Sequence, residues 1–198
     1  MTGTLITIEG ADGCGKSTHV KLLSKWLEEE GKNVLVTVEP TDGPIGKILK
    51  SSLRGEINFS VETEALLFAA DRINHVRQVI RPAVDSGKIV IAERYVYSSM
   101  AYQSVRGLPL EWIKEINENA PIPDLAIVLD VPAEAAFDRI KRSRKLDTFE
   151  KDLELQKKVR DKYLEIAKSE GLAVVNSQGS VKEVQLKIRE IVSEHLKA

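Results

Sequence analysis

Four residues near the amino terminus have the types and the spacing that bind nucleotide phosphates. Gly10, Gly15, Lys16 and Ser17 form the pattern G-x-x-x-x-G-K-S. In such a phosphate loop, backbone N–H groups surround the phosphates, the lysine reaches the β- and γ-phosphates, and the hydroxyl binds Mg²⁺. A glycine-rich turn without a ligand is the alternative, but it does not require a lysine and a hydroxyl in register. The predicted nucleotide-binding loop comprises Gly10, Ala11, Asp12, Gly13, Cys14, Gly15, Lys16, Ser17 and Thr18.

A strand must lead into this loop and a helix must lead out of it. Leu5–Glu9 is apolar and rich in β-branched residues, which is typical of a strand. Val20, Leu23 and Leu27 recur at helical spacing after the loop, and Gly31 is a typical helix end. The loop therefore has the sequence context that phosphate binding requires.

Short β-like runs alternate with helical stretches along the whole chain. The runs are Leu5–Glu9, Val34–Glu39, Ile89–Glu93, Leu125–Asp130 and Ala173–Asn176. This alternation predicts an α/β fold in which a five-stranded parallel sheet has helices on both faces, as one domain over residues 1–198. Ligands of such sheets bind at the carboxyl ends of the strands, so the residues that follow each strand are the candidates for a site.

The composition argues against several classes of partner. The chain has 198 residues and a formal net charge of −1, so we expect neither a nucleic acid nor a membrane surface as a partner. Cys14 is the only cysteine, which excludes an intrachain disulfide and favours a cytoplasmic location. The first predicted strand begins so early that we expect no signal peptide, and no apolar run is long enough to span a membrane.

An acid and a base follow the third predicted strand. Glu93 ends an apolar run at the position where phosphate-loop proteins commonly hold Mg²⁺, and Arg94 comes next, where it could bind a phosphate. An ordinary Glu–Arg pair at a strand end is the alternative. The phosphate loop favours the metal-binding interpretation.

Thr63–Val84 is predicted to form a helix that kinks or ends near Pro82. Its predicted core stripe consists of Leu66, Ala70, Ile73 and Ile80. Phe68 and Arg72 lie four residues apart on the opposite face, so the ring could stack on a planar base while the guanidinium binds the edge of that base. A contact with another helix or subunit is the alternative.

A basic segment follows the fourth predicted strand. It contains Arg139, Lys141, Arg142, Arg144 and Lys145. A solvated helix face is the usual explanation of such a run. Because the segment lies on the ligand side of the sheet, we favour a mobile arginine lid over about residues 139–150 that neutralises charge during phosphoryl transfer.

Several separate motifs, in order along nearly the whole chain, resemble those of thymidylate kinases. They are GADGCGKST (10–18), EP (39–40), TEALLFAADR (63–72), ERYVYSSMAYQ (93–103) and LDTFEK (146–151). The resemblance implies the fold of P-loop nucleoside monophosphate kinases and phosphoryl transfer from ATP to dTMP, which gives dTDP and ADP for dTTP synthesis. It also implies Mg²⁺ as a cofactor and, by analogy with the family, a homodimer.

The same resemblance implies which residues would surround the acceptor base. Phe68 would stack on thymine and Arg72 would bind its edge. Ser99 matches a position that can contact the base, and Gln103 lies beside the base pocket. The residues that carry these roles therefore come from two separate motifs.

Further substrate-binding roles are implied around the sugar and the phosphate. Tyr102 would crowd the 2′ position of the sugar and so favour deoxyribose, and Asp12 would meet the 3′-hydroxyl. Arg94 would hold the acceptor phosphate. Glu39 of the Glu-Pro pair belongs to the same substrate site.

Two departures from the family pattern concern the metal and the acceptor phosphate. Glu93 stands where an aspartate is usual, so a direct and a water-mediated metal contact both remain open. Many members carry an arginine on the helix after the Glu-Pro pair. This chain offers Lys47, Lys50 and Arg54 instead, and the sequence does not choose among them.

A third departure concerns the source of a catalytic arginine. Some members carry an arginine inside the phosphate loop, where this chain has Gly13. The resemblance is therefore to the subclass whose lid supplies the arginine, with Arg142 and Arg144 as the candidates. Together with Lys16 and Arg94, they complete the predicted catalytic set.

Other classes of function compete with this interpretation. Another nucleoside or deoxynucleotide kinase would share the same loop. A nucleotide-dependent binding switch such as a GTPase is disfavoured, because the guanine-reading N-K-x-D motif is absent from the sequence. An inactive relative that only binds nucleotides is disfavoured because every expected phosphate-handling residue type is present.

Overall fold

The computed structural model of the chain describes residues 3–143 and 152–197, without the side chains of residues 142 and 143. The strands in this part are β1 (Thr4–Glu9), β2 (Val34–Val38), β3 (Ile89–Glu93), β4 (Leu125–Asp130) and β5 (Ala173–Asn176). They form one sheet in the order β2-β3-β1-β4-β5, and all neighbouring strands are parallel. The five strands predicted from the sequence are thus confirmed, with differences of one residue at β1 and β2.

Helices cover both faces of this sheet. They are α1 (Lys16–Glu29), α2 (Pro44–Leu53), α3 (Val61–His75), α4 (Arg81–Asp85), α5 (Val96–Val105), α6 (Leu110–Ile116), α7 (Ala133–Ser143), α8 (Leu153–Glu170) and α9 (Val181–His195). Ile8 of β1 belongs to a core cluster with Leu23 and Ile188, whereas Val90 of β3 belongs to another cluster with Ile80. The predicted α/β fold is therefore confirmed. Among the described helices, none is long and apolar enough to cross a membrane.

The strand register brings the ends of three strands together. Ile8 of β1 pairs with Glu93 of β3, and Val38 of β2 also pairs with Glu93. Because parallel strands end at one edge of the sheet, the segments that begin at Glu39, Arg94 and Gly10 all start there. This edge is where the sequence predicts the site.

The first helix begins and ends as its sequence pattern predicts. Gly15 has a left-handed backbone conformation, φ 100°, and α1 begins at the next residue. Val20, Leu23 and Leu27 are buried. After the helix ends, Gly31 has φ 76°, a conformation that glycine adopts without steric cost.

The predicted core stripe of the next long helix is confirmed at Ile80, which is 1% exposed, but is wrong within α3. Leu66 is 50% exposed, whereas Ala65, Ala69 and Arg72 face inward and are buried. The inward face of α3 lines a polar site, so its buried positions include charged residues and apolar periodicity does not reveal it. The helix also does not run unbroken to Val84, because a five-residue π-helical turn, Val76–Ile80, separates α3 from α4.

Candidate active site

Two pockets adjoin at the carboxyl edge of the sheet. The phosphate-loop pocket is lined by Asp12, Gly13, Gly15, Lys16, Ser17, Thr18, Glu93, Arg94, Arg139 and Ile140. The second, which we call the α3 pocket, is lined by Asp12, Glu39, Pro40, Leu53, Phe68, Arg72, Arg94, Ser98, Ser99, Tyr102, Gln103 and Arg106. Asp12 and Arg94 line both pockets, so a group that passes from one pocket to the other would pass these two side chains.

The phosphate loop holds its lysine against its own backbone. Lys16 is buried, and its Nζ donates to the carbonyl oxygens of Gly10 at 3.0 Å and Ala11 at 2.9 Å. Its ammonium therefore lies inside the curve of the loop, at the amino terminus of α1. Both the positive end of the helix dipole and the ammonium charge favour an anion at this point.

Gly13 is required by two features of the loop. Its φ of 75° is a conformation that side chains rarely adopt, and a Cβ atom there would lie 2.4 Å from the carbonyl oxygen of Ala136 in α7. An arginine at this position would therefore need both a strained backbone and a displaced helix. The close approach of α7 explains in physical terms why this loop carries no arginine.

The predicted metal ligands lie side by side. The Ser17 hydroxyl donates to Oε1 of Glu93 at 2.8 Å. A hydroxyl beside a carboxylate gives the hard oxygen ligands that Mg²⁺ prefers, with the remaining positions left to water and phosphate oxygens. No cluster of three or more His, Cys, Asp or Glu residues that could hold a metal occurs in ranges 3–143 and 152–197. The residues present therefore fit a magnesium ion that is shared with a nucleotide rather than one caged by protein.

Arg94 is held at the boundary between the pockets. It is the one non-glycine residue with positive φ, 66°, in the described part of the chain. Its guanidinium forms a short ion pair with Asp12, donates to Ser98 Oγ at 3.3 Å, and lies 5.3 Å from the centre of the Tyr102 ring. A left-handed backbone at a non-glycine residue costs about 1–2 kcal/mol, and such strain clusters at functional sites.

Asp12 carries a charge that its neighbours stabilise. Burial alone would raise the pKa of its carboxyl, but the adjacent Arg94 and Lys16 charges outweigh burial and hold the pKa below its ordinary value. Tyr102 donates its hydroxyl to Oδ2 of Asp12 at 2.7 Å. An anionic acceptor is therefore fixed between the two pockets at neutral pH.

Arg72 is bonded to three different side chains in the α3 pocket. It is only 1% exposed, and its Nε and Nη2 both lie within 2.9 Å of Oε2 of Glu39. Its Nη1 donates to Ser99 Oγ at 3.1 Å and to Asn117 Oδ1 at 2.6 Å. The guanidinium is 5.2 Å from the centre of the Tyr95 ring. These contacts fix its plane and its direction.

Glu39 is itself held on both sides. His75 Nδ1 lies 3.0 Å from Oε1 of Glu39, and the other ring nitrogen of His75 lies 2.6 Å from Thr37 Oγ1. The loop after Glu39 is held by Asp71, whose carboxylate accepts from both the backbone N–H and the hydroxyl of Thr41 at 2.7 Å. His75 and Asp71 thus hold Glu39 and the loop that follows it in position.

Gln103 and Phe68 complete the wall around Arg72. Gln103 is buried, and its Oε1 has no hydrogen-bond partner among the described residues. A buried amide oxygen without a partner is uncommon and is a candidate to accept a bond from a ligand. Phe68 is partly buried on the same pocket.

A buried carboxyl lies behind the boundary. Glu9 is fully buried and accepts the Ser98 hydroxyl at 2.6 Å, and Ser98 also lies 2.7 Å from the Tyr163 hydroxyl. Burial raises the pKa of Glu9, although the Ser98 hydrogen bond and the charge of Arg94 oppose that shift. Ser98 connects this carboxyl to Arg94.

All eight residues predicted to bind the acceptor substrate line the α3 pocket, although five separate elements and loops contribute them. Arg106, Glu64 and Asn117 are not part of the site predicted from the sequence. Arg106 forms an ion pair with Glu64 across the rim, and Ser52 donates to the same carboxylate at 2.8 Å. Arg106 lies three residues after Gln103, and this spacing was the one signal that could have identified it.

The three basic candidates after β2 line neither pocket, and the two catalytic candidates in the lid cannot be compared with the site. Lys50 donates to Asp42 at 2.6 Å, Arg54 forms an ion pair with Glu56, and Lys47 is not among the lining residues. For the predicted lid, the side chain of Arg142 and the whole of Arg144 lie outside the described residues. Arg139, which the prediction placed in the lid without a catalytic role, lines the phosphate-loop pocket and donates to the Ser177 carbonyl at 2.9 Å.

A parallel sheet with a phosphate loop after β1 and a second pocket facing that loop defines a P-loop phosphotransferase. The chain matches the family described as Thymidylate kinase over residues 8–188. It is 48% identical to the probable thymidylate kinase of Pyrococcus abyssi, over 99% of this chain and 98% of the relative. It is 46% identical to that of Pyrococcus horikoshii over the same shares, and 42% identical to that of Archaeoglobus fulgidus over 97% and 96%. The chain belongs to the thymidylate kinase family, whose members transfer a phosphoryl group from ATP to dTMP.

Proposed function

We propose that the α3 pocket binds dTMP and that the phosphate-loop pocket binds ATP with Mg²⁺. The observation that carries this proposal is the pairing of one donor with one acceptor beside a ring. Three of the five N–H groups of Arg72 donate hydrogen bonds to protein partners, and its Nη2 lies 2.8 Å from Oε2 of Glu39 in an ion pair, which leaves an N–H of Nη2 for a ligand. The remaining N–H and the unpartnered Oε1 of Gln103 both belong to residues of this pocket. One donor and one acceptor are the complement of O4 and N3–H of thymine, and Phe68 offers a stacking surface.

The reaction needs charge and alignment rather than a general base. The second pKa of a phosphate monoester is about 6, so the attacking oxygen of dTMP is already anionic at neutral pH. Arg94 would hold this acceptor phosphate at the boundary between the pockets, and Lys16 would bind the β- and γ-phosphates of ATP. In this structure, Lys16 contacts carbonyl oxygens and Arg94 contacts a carboxylate oxygen, so phosphate oxygens would replace other oxygen acceptors at both side chains.

Ser17 and Glu93 would hold Mg²⁺, which would supply positive charge beside the phosphates of ATP. The hydrogen bond between them keeps the hydroxyl and the carboxylate at the mouth of the loop. Asp12 would accept the 3′-hydroxyl of the sugar, and Tyr102 would restrict the 2′ position. The Asp12–Tyr102 hydrogen bond supports this division of roles, because it fixes both groups on the same side of the pocket.

We also propose that Arg142 and Arg144 supply the positive charge that the phosphate loop lacks. The support is steric, because α7 leaves no space for a side chain at Gly13. The lid segment, about residues 139–150, begins within α7 on the phosphate-loop side, where Arg139 and Ile140 already line the pocket.

The apolar stripe on the outer face of α3 supports a homodimer. Leu66 is half exposed, and Ala70 and Ile73 are only partly buried in the single chain. A second copy of the chain is the occupant that the family analogy implies. Sedimentation should give twice the chain mass, and Leu66→Glu should shift the protein toward monomer, while a monomeric wild type would exclude this interface.

We propose the cytoplasm as the location of this enzyme. Its single cysteine, Cys14, is buried and lies in the phosphate loop, where an oxidising compartment would offer it no disulfide partner within the chain. Fractionation of cells that express the full chain would test this. Recovery in a secreted or membrane fraction would contradict it.

A coupled ADP-release assay against a panel of monophosphates tests the reaction. We expect the highest kcat/KM with dTMP, a lower value with dUMP, and much lower values with dCMP, dGMP and the ribonucleotide of thymine. Highest activity with a purine or with dCMP would support the alternative of another deoxynucleotide kinase and would contradict the assignment of Arg72 and Gln103.

A further inference from the structure

Asn117 is a buried polar residue that lies outside every motif of the sequence. It is 4% exposed and follows the last residue of α6. Its Nδ2 donates to the carbonyl oxygen of Ile113 at 2.8 Å, and its Oδ1 accepts from Nη1 of Arg72 at 2.6 Å. The side chain therefore connects the end of α6 to the arginine that faces the α3 pocket.

The hydrogen bond to Asn117 determines which N–H groups of the Arg72 guanidinium remain available to a ligand. Glu39 accepts a hydrogen bond from Nε and forms an ion-pair contact with Nη2 at 2.8 Å, and Ser99 and Asn117 accept from Nη1. Nη1 has two N–H groups, so both are occupied only when Asn117 is present. The remaining N–H belongs to Nη2, and its direction is set by the plane that the other contacts fix.

We infer that Asn117 is a positioning residue that sets the selectivity for a thymine edge over a cytosine edge by holding Arg72. The inference rests on the proposed function of the α3 pocket. Thymine offers an acceptor at O4 and a donor at N3, whereas cytosine offers a donor at the exocyclic amine and an acceptor at N3. A fixed N–H on Nη2 binds the first pattern and opposes the second.

Removal of the Asn117 amide leaves a buried N–H of a charged group without an acceptor. The guanidinium then turns or admits water, and the remaining N–H no longer points at O4. The loss of a well-directed hydrogen bond from the guanidinium to O4 corresponds to a roughly tenfold loss in affinity. The loss falls on dTMP alone, because dCMP gains nothing from this N–H in the wild type.

A matched pair of variants separates this role from a structural role in α6. Asn117→Ala loses both hydrogen bonds, whereas Asn117→Asp loses only the donor to Ile113 and keeps an acceptor for Arg72. For the alanine variant we expect KM for dTMP to rise about tenfold, kcat and KM for ATP to stay unchanged, and the ratio of kcat/KM for dTMP to that for dCMP to fall by a similar factor. For the aspartate variant we expect both values within about threefold of wild type.

Equal rises of KM in the two variants, or a fall in kcat alone, would overturn the inference and assign Asn117 to the stability of α6. If the alanine variant unfolds at the assay temperature, Asn117→Ser takes its place in the comparison. The serine oxygen is one bond closer to the backbone than Oδ1 of Asn117 and is therefore too far from Arg72 to replace it as an acceptor. In an Arg72→Lys background, Asn117→Ala should add no further rise in KM for dTMP. A wild type that prefers dCMP would instead contradict the proposed function. The wild type is therefore assayed with dTMP and dCMP before any variant.

Discussion

The two pockets of this enzyme differ in how their charged groups are held. In the α3 pocket, Arg72 bonds to Glu39, Ser99 and Asn117, which are themselves buried. In the phosphate-loop pocket, Lys16 bonds to carbonyls of its own loop. The first set of contacts can persist when a ligand binds, whereas the second would be exchanged for phosphate oxygens if the loop binds ATP as we propose.

This difference separates recognition from catalysis. A side chain whose partners stay in place is preorganised, so it contributes equally to substrate binding and to the transition state and affects KM. A side chain that leaves its partner to follow the moving phosphoryl group binds most strongly in the transition state and affects kcat. Substitutions in the two pockets should therefore produce different kinetic signatures.

The largest effect is expected at the lid. The double variant Arg142→Ala, Arg144→Ala should lower kcat on the order of 10³-fold with little change in KM for dTMP, because supplied arginines act on charge that develops during transfer. Single-turnover kinetics at saturating substrates should show which single variant carries the loss. Lys141→Ala, an exposed change in the same run, is the control. A double variant with nearly wild-type rates would mean that the run is a solvated helix face.

The next largest effect is expected at Lys16. Lys16→Met should lower kcat by about 10²–10³-fold, because the charge on the β- and γ-phosphates would no longer be matched. The melting temperature should change little if the phosphate loop keeps its form, and Lys21→Met, an exposed change on the same helix, should keep full activity. Near-normal turnover in the purified Lys16→Met protein would remove this loop from the mechanism.

In the α3 pocket we expect a smaller effect, and we expect it on dTMP binding rather than on kcat. Phe68→Ala should weaken dTMP binding by about 1–3 kcal/mol, the range for loss of an aromatic–base stack, while ATP affinity stays the same. Phe68→Tyr keeps the ring and should restore most of the affinity. Isothermal titration calorimetry provides both values, and equal losses for dTMP and ATP would show that Phe68 supports the fold instead.

The smallest effect concerns stability at Glu9, which lies behind both pockets. Because burial raises the pKa of Glu9, the folded protein holds this proton more tightly than the unfolded chain does. Stability is therefore lost as the pH rises from the ordinary pKa through the raised one, at about 1.4 kcal/mol for each tenfold change in the acid constant.

Glu9→Gln removes this titration. The melting temperature of the variant should therefore rise relative to that of the wild type as the pH increases from about 4 to 8. Differential scanning calorimetry at several pH values would measure the difference. A constant difference across the range would show that Glu9 titrates normally in the folded state.

Much of the fold and the set of site residues follow from local sequence signals. The phosphate loop, the strands and α1 each have a periodicity or a motif that is contained within about 20 residues. The hydrogen bonds that hold the site are not local, since Asn117 and Arg72 are 45 residues apart and Ser98 and Glu9 are 89 apart. No periodicity relates such residues, so only the folded chain reveals their contacts.

The failure at α3 has the same origin. Apolar periodicity identifies an inward face only when that face packs against apolar side chains. The inward face of α3 carries Asp71, Arg72 and His75, because it contacts a polar network instead of the sheet alone. The more apolar stripe, with Leu66, lies outside. A polar inward face of this kind indicates a binding site, and a search for apolar periodicity alone assigns it to the surface.

The π-helical turn between α3 and α4 is a place where the chain can lose one residue without moving the site. Such a turn is one residue longer than the α-helical turn it replaces, and it accommodates that residue with little change in the phase of the helix on either side. Deletion of a single residue within Val76–Ile80 would therefore leave a regular helix, with Ala83 still anchored on the sheet and Arg72 still directed at Glu39. The same deletion within Val61–His75 would instead turn the preceding part of α3 by about 100°, the rotation of one α-helical residue. Functional relatives with a regular helix in place of the π turn would therefore need no second change to keep the α3 pocket.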